Sequence, residues 1–312
     1  MTVIVRDFRT EDAAAVSRVR HATLPHLVTT PESIVFRVAT ANPAKKYRLL
    51  VAEKDGEIIG TAHVGIVYDA SEPGQSTVTP HVHPDHQRLG AGSMILRAAE
   101  EHLAAEGATT VYAWAMREPG ALAFAEKHGY RPTRSAHFQR LDLAKGTLPA
   151  PGGLPAGVEL RTALDFEADP RPLFLVDAEA SSDEPGDIGV DLADYDDWFS
   201  QTWSEPLLDR GLTTVVVVDG EAVAFTAAFT DGGTRYASGM TGTLRAHRGR
   251  GFAKLAKTDS LHRARAAGYT DAFTSNDADN GPMLAINRWF GYEICATEVH
   301  HVRTLDTPGI LG

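Results

Sequence analysis

The sequence predicts an α/β protein of two tandem domains, each a mixed β-sheet flanked by helices. Three observations predict this: an internal repeat, the same order of elements within each copy, and a length of 312 residues, which suits two domains of ordinary size. The first strand of the N-terminal half, Val3-Ile4-Val5-Arg6-Asp7, has its counterpart in Val158-Glu159-Leu160-Arg161-Thr162. A hairpin follows in both halves: Tyr47 to Val51, Asp55-Gly56, Ile58 to Val64, against Thr213 to Val218, Asp219-Gly220, Ala222 to Phe229. Asp-Gly between alternating apolar residues is a strong hairpin signal. Gln87-Arg88-Leu89-Gly90-Ala91-Gly92 then aligns with Arg248-Gly249-Arg250-Gly251-Phe252-Ala253 at an offset of 161 residues. His128-Gly129-Tyr130 aligns with Phe290-Gly291-Tyr292 at an offset of 162. A period this long describes whole domains, not a solenoid.

Around each glycine cluster the elements repeat as well. Ser76 to Val82 reads as a strand into the turn, and Ala91 to Glu106 as a helix with Met94, Ile95, Leu96, Ala99 and Leu103 mostly on one side. Gly107 stops that helix, and Thr109 to Met116 is the next strand. The C-terminal copy runs Gly251 to Ala267, Gly268, then Thr270 to Thr274. Between the copies, residues 146–157 hold three prolines and no charge, which suits an exposed connector. The expected division is therefore a domain over residues 1–145, a linker over 146–157 and a second domain over 158–312.

Composition excludes several classes. Hydrophobic residues make up 43% and charged residues 23%, so wholesale disorder is ruled out. Mean hydropathy is -0.19 and no apolar run reaches bilayer length, so no membrane span is expected. The first residues mix charged and apolar side chains, unlike a secretory signal. A net charge of -11 argues against a nucleic-acid partner. One cysteine, Cys295, allows no disulfide framework and reads as a packing residue; a reducing, cytoplasmic location is expected. The acid-rich stretch from Asp177 to Asp197 carries no Lys or Arg. It reads as a solvated face or as the acidic wall of a pocket for a cationic amine, with Asp191, Asp194 and Asp196 in that wall. Phe199 and Trp203, four apart, suggest one helix face beside Trp198. His81, His83 and His86 form a loose cluster, but the one nearby acid, Asp85, points away from the shared strand face, so no metal is expected. His81 is instead a candidate proton acceptor or polar wall. His300-His301 reads as exposed alternation.

The chemistry lies in the glycine clusters. Each stands where a strand ends and a helix begins, so unpaired amides and the positive end of the helix dipole face outward. That is a cradle for a phosphate or pyrophosphate. It is not a P-loop, because no Gly-Lys-Ser/Thr follows, and it lacks the Gly-x-Gly-x-x-Gly dinucleotide spacing. Val82-x-Pro84-x-x-Gln87-x-x-Gly90-x-Gly92, with its following helix and later Gly-aromatic pair, resembles the central motif of the GCN5-related N-acetyltransferase (GNAT) superfamily. Thr243 to Ala253 resembles it again, and the tandem layout is similar to that of two-domain members of the superfamily. The resemblance implies a sheet splayed between the strands near Val82 and Thr109. It implies acetyl-CoA as cosubstrate, held by Val82, Gln87, Arg88, Leu89, Gly90, Ala91 and Gly92 in one half. In the other half the holders are Thr243, Arg248, Gly249, Arg250, Gly251, Phe252, Ala253 and Asn280.

Many members carry Asn-x-x-Ala-x-x-x-Tyr before Gly-Phe. Here Asn280 matches the Asn and Asn287 stands at the Tyr; in the N-terminal half Glu118 and Ala125 occupy those positions. The C-terminal half, retaining more polar groups, is therefore expected to do the chemistry, with Asp277 and Asp279 handling protons and Asn287 orienting. The expected reaction is direct attack of a small-molecule primary amine (an amino sugar, an antibiotic or a thiol-metabolite precursor) on an acetyl thioester, without a covalent enzyme intermediate. The alternatives are a non-catalytic acyl-CoA-binding regulator of tandem GNAT build and a protein N-acetyltransferase.

Overall fold

A computed structural model describes residues 2–189 and 194–305. The chain is a mixed α/β protein of two compact units. Unit 1 comprises Met1–Ala136, Asp187–Val190 and Ala296–Gly312; unit 2 comprises His137–Gly186 and Asp191–Cys295.

Unit 1 opens with β1 (Val3–Asp7), α1 (Ala13–Thr23), α2 (Pro31–Ala39), β2 (Arg48–Lys54), β3 (Glu57–Ile66) and β4 (Gln75–Val82). It continues through α3 (Ala91–Ala105), β5 (Thr110–Met116) and α4 (Pro119–Lys127), into β6 (Arg131–Asp142). Thr30 caps α2 by accepting from the Ser33 amide at 3.1 Å, with Pro31 in the first turn, where its missing N–H costs nothing. The β2–β3 turn places Asp55 and Gly56 at φ 54° and 84°, the two left-handed residues that a tight hairpin needs. In α3 the buried residues Ile95, Ala99 and Leu103 fall four apart, facing Ala62, Val64, Val78 and Val111 of the sheet. Met94, assigned to that stripe from the sequence, is exposed at 37% because it lies to one side of it.

Unit 2 repeats the plan with β7 (Val158–Thr162), α5 (Arg171–Ser181), α6 (Tyr195–Trp198), β8 (Thr214–Val218), β9 (Glu221–Thr230) and β10 (Arg235–Thr243). Then come α7 (Phe252–Ala266), β11 (Asp271–Asp277), α8 (Gly281–Phe290) and β12 (Glu293–Thr304). Residues 151–157 of the connector are exposed, but Leu148 is buried among Leu141, Leu143 and Leu212, and the His262 ring bonds the Pro149 carbonyl at 2.9 Å. The apolar Leu148 explains why the connector's first part packs down.

Each unit completes its strand order with residues from the other half of the chain. Unit 1 orders its strands β1-β2-β3-β4-β5-β12, and unit 2 orders them β6-β11-β10-β9-β8-β7. Within unit 1, residues Glu298–Thr304 of β12 run antiparallel to Met116–Thr110 of β5. Within unit 2, Arg140 of β6 forms an ion pair with Asp271 of β11. This exchange hides His300 and His301, which the sequence had suggested were exposed; they are 5% and 3% accessible. The reverse holds for Cys295, which is exposed rather than packed.

The aromatic stretch after the acidic run also differs from a regular helix. The Ser204 amide bonds the Phe199 carbonyl at 3.0 Å, a five-residue span, so the coil is wider than an α-helix. Trp198 and Trp203, five apart, therefore share the buried face with their rings 5.9 Å apart, and Phe199 points outward.

A polar network crosses the interior of unit 2. Lys257 of α7 is fully enclosed and donates to Asn287 Oδ1 at 2.6 Å; Asn287 in turn donates to Gln139 Oε1 and Asn276 Oδ1, each at 2.7 Å. Burial pushes the Lys257 ammonium down to about 7. Between pH 7 and its ordinary range the unfolded chain binds the extra proton, so stability rises with pH across that window. Denaturant unfolding from pH 6 to 9 is expected to show this rise, and Lys257→Met to flatten it; an unchanged slope in the variant would assign the pH dependence to other groups.

Candidate functional site

The parallel ladder between β4 and β5 is short. It joins Gln75, Ser76 and Thr77 to Thr110, Val111 and Tyr112, and the strands part from Val78 and Ala113 onward. In unit 2 the ladder joins only Arg235, Tyr236 and Ala237 to Asp271, Ala272 and Phe273. The β9–β10 register also shifts between Ser238 and Thr241 there. Each unit thus has a splay at the carboxyl end of its central strand, and each splay leads into a glycine cluster.

In unit 1 the cluster turns through two left-handed residues, Arg88 at φ 65° and Gly90 at φ 85°. Gly90 caps α3, and the first helical bond is Met94 N–H to Gly90 O at 3.1 Å. The amides of Ala91, Gly92 and Ser93 precede it and have no acceptor within the helix. A Cβ on Gly90 would meet nothing within 4 Å, so the cradle is open. Gln87, Arg88 and Leu89 are exposed around it, whereas Ala91 is buried against the sheet and Val82 packs on the same core. Left-handed geometry costs a non-glycine residue about 1–2 kcal/mol, and the equivalent of Arg88 is Gly249, which avoids that cost. Gly249 and Gly251 adopt φ 75° and 82°, and the amides of Phe252, Ala253 and Lys254 precede the first bond, Leu255 N–H to Gly251 O.

The two cradles differ in their charged surroundings. Around unit 2's loop, Arg245 bonds Asp183 at 2.8 Å and Arg248 bonds it at 2.6 Å. Hydrogen bonds from Arg245 and Arg248 hold the Asp183 carboxyl down at about 2. Arg250 lies over the Phe252 ring at 4.8 Å, and Thr243 Oγ1 is enclosed with no hydrogen-bond partner among the described residues.

The acidic run therefore does separate structural jobs. Asp177 accepts from Trp198 Nε1 at 2.7 Å, Asp183 ties the loop arginines, and Asp194 caps α6 by accepting from the Asp197 amide. Asp196 sits in the first turn of α6, and Asp191 lies outside the described residues.

The other residues singled out in the C-terminal half are placed as follows. Asn280 caps α8, accepting from Met283 N at 3.2 Å. Asp277 ends β11 and accepts from the exposed Asp279 amide at 2.8 Å. Asn287 is enclosed with Lys257, so it positions that lysine and does not face an open site.

Unit 1 carries a group that sequence reading missed. The β3–β4, β4–β5 and β5–β12 registers put His63, His81, Tyr112, Trp114, Glu298 and His300 on one sheet face, opposite the α3 face. His300 Nδ1 meets Asp187 Oδ2 at 2.5 Å, and its ring stacks on Trp114 at 4.3 Å and Tyr112 at 5.2 Å. Burial raises the half-buried Glu298 carboxyl to about 7, against the pull of Arg134. Burial lowers His81 to about 3, so that ring is neutral. Nothing in the local sequence marks Glu298, because its neighbours on β5 come from the other half of the chain.

Because Asp183 occupies the arginines of unit 2's loop, Asp183→Asn in a Gly90→Glu background is expected to raise the affinity of that loop for inorganic pyrophosphate severalfold at low salt. Calorimetric titration checks it; unchanged affinity would mean that the arginines do not reach the loop's anion.

Comparison with known proteins is consistent with this geometry. A profile of the Acetyltransferase (GNAT) family matches residues 15–130. A mycothiol acetyltransferase of Clavibacter michiganensis subsp. michiganensis is 30% identical over 266 residues, 82% of this chain and 83% of that protein. One from Nocardiopsis dassonvillei is 26% identical over 299 residues, 88% of this chain and 87% of that protein. Among solved structures, a GCN5-related N-acetyltransferase from Sphaerobacter thermophilus superposes with TM-score 0.72 at 25% identity, covering 99% of this chain and 97% of that one. A tandem GNAT protein from the clavulanic acid biosynthesis pathway superposes with TM-score 0.73 at 20% identity, covering 97% and 98%. Among the described residues no helix is long and apolar enough to cross a membrane. With its splayed sheets, its paired left-handed helix caps and these relatives, the chain belongs to the GNAT acetyltransferase family.

Proposed function

We propose that the protein is an acetyl-CoA-dependent N-acetyltransferase that acetylates the primary amine of a small molecule, with the chemistry in unit 1. The observation that carries this reading is the coincidence, in one unit, of an open left-handed helix cap, a splay of the strands leading to it, and a carboxyl group poised near neutrality on β12. The amides of Ala91, Gly92 and Ser93 and the positive end of α3 suit a pyrophosphate. The parting of β4 and β5 leaves strand amides for a pantetheine arm. Acetyl-CoA bound there supplies an activated acyl group.

Glu298 then has one task. An amine is an ammonium at neutral pH and must lose a proton before it attacks. Glu298, ionised in part near pH 7, accepts that proton; the neutral amine then attacks, and its second proton passes to solvent as the C–N bond forms and the C–S bond breaks. Ala125 of α4 has none to give, so the departing sulfur takes its proton from solvent.

The expectation that the C-terminal half does the chemistry is set aside on two grounds: Asn287 is committed to Lys257, and the loop arginines are committed to Asp183. We read unit 2 as an acyl-CoA-binding or structural copy, with Asp277 and Asp279 as its remaining candidates. The relatives named mycothiol acetyltransferase keep a thiol-metabolite precursor among the acceptors to be tried.

Free-thiol release with acetyl-CoA and a panel of amines tests the assignment. Gly90→Glu places a carboxylate in the unit 1 cradle and is expected to abolish turnover; Gly251→Glu is expected to retain it. The opposite result would return the chemistry to unit 2. Because ionised Glu298 is the working form, kcat/KM is expected to rise with pH through about 7. Glu298→Gln is expected to lower it by about 10²–10⁴ and to remove that limb; a variant with an intact limb would assign the base elsewhere.

A further inference from the structure

We propose that the α1/α2 face of unit 1 holds a binding pocket for an oxyanion, the carboxylate or phosphate of a small molecule, built around the guanidinium of Arg20. As a binding site this stands alone; as the acceptor's second handle it rests on the acetyl-transfer reading above.

Arg20 lies on α1 one turn after Val16, on the side of the helix packed against Ile34, Leu49 and Val51. It is 7% exposed. Its guanidinium lies near the Tyr47 side chain, and among the described residues no carboxylate forms an ion pair with it. A guanidinium has five donors, and burying one beside a neutral phenol leaves most of its charge uncompensated. Buried charges are ordinarily paired.

The neighbouring groups do not supply the missing anion. Thr61 opposes His81 in the β3–β4 ladder and His63 is two residues along, so the two histidines are diagonal neighbours on this face, at a residue separation of about 7 Å. Leu49 opposes His63, which brings Tyr47 to the same side. The leading charges on Arg20, Tyr47, His63 and His81 come from Arg20, Arg37, Lys45 and each other, not from a carboxylate. Burial and these cations keep His63 neutral, and burial keeps His81 so; a neutral imidazole can still donate one N–H. Of the acids nearest this face, Asp187 already bonds His300 and Thr133, and Glu298 lies on β12 opposite Met116 of β5. An oxyanion set among Arg20, Tyr47, His63 and His81 would balance the charge. An acceptor carrying both an acid group and a primary amine would then be anchored by the first while presenting the second.

The test separates this pocket from the phosphate cradles. In a Gly90→Glu, Gly251→Glu chain, with both cradles blocked, calorimetry with acetate and with inorganic phosphate is expected to show one saturable site. Preference for one probe tells carboxylate from phosphate. Arg20→Gln in that background is expected to weaken binding about tenfold or more, and Tyr47→Phe, which keeps the charge, about threefold. Melting curves report whether each variant folds; should Arg20→Gln fail to fold, Tyr47→Phe decides. Absence of a saturable site, or equal affinity in the parent and in Tyr47→Phe or a folded Arg20→Gln chain, would overturn the pocket. With otherwise wild-type protein, kcat/KM for an amino acid is expected to exceed that for its amide at least tenfold, and Arg20→Gln to collapse the ratio. No turnover with any amine would refute the transfer reading and leave the binding result to decide the pocket.

Discussion

Three residue pairs join β4 to β5, and the site in unit 1 depends on that ladder being no longer. A continuous parallel ladder would consume the amides and carbonyls on the facing edges of both strands. Ending it at Thr77 and Tyr112 leaves those groups available and opens a gap, while β3 on one side and β12 on the other keep the parted strands in place. The sheet is thus closed where it needs strength and open where it needs hydrogen-bonding capacity. The left-handed cap at Gly90 extends the same logic, because it starts α3 just after β4 with its first amides free of helical acceptors.

The two units show how one backbone plan diverges through its side chains. Both keep the short ladder and the left-handed cap. In unit 2 the groups facing inward from α7 and α8 became a closed polar network, Lys257 with Asn287, Asn276 and Gln139. The loop arginines there acquired a carboxylate partner from the stretch after α5. In unit 1 the α3 face stayed apolar, and the polar groups gathered on the opposite face, beside α1 and α2.

Much of this architecture was legible in the sequence. The duplicated hairpins were visible because Asp-Gly has few backbone solutions, and Asp55-Gly56 and Asp219-Gly220 both adopt the left-handed pair. The glycine clusters were visible because a strand-to-helix turn with bare amides demands small residues. What stayed hidden depends on distant partners. The pairing of β12 with β5 has no local signature, so His300 read as exposed and Glu298 was overlooked. Arg20 looked like any helix arginine, since nothing in α1 itself says that the helix presents it to β3. Asn287 occupied the position of a functional tyrosine, but its real partner, Lys257, lies thirty residues away on another helix.

The exchanged strands carry a consequence for biogenesis. The proline-rich connector looks like a natural place to divide the protein, yet the piece before it would lack β12 and the piece after it would lack β6. A ribosome that has finished the N-terminal half has made a sheet with its β5 edge bare. That edge waits, exposed to misplaced pairing, until residues 296–304 emerge. The edge of a sheet begun early in synthesis is thus covered by almost the last strand to be made.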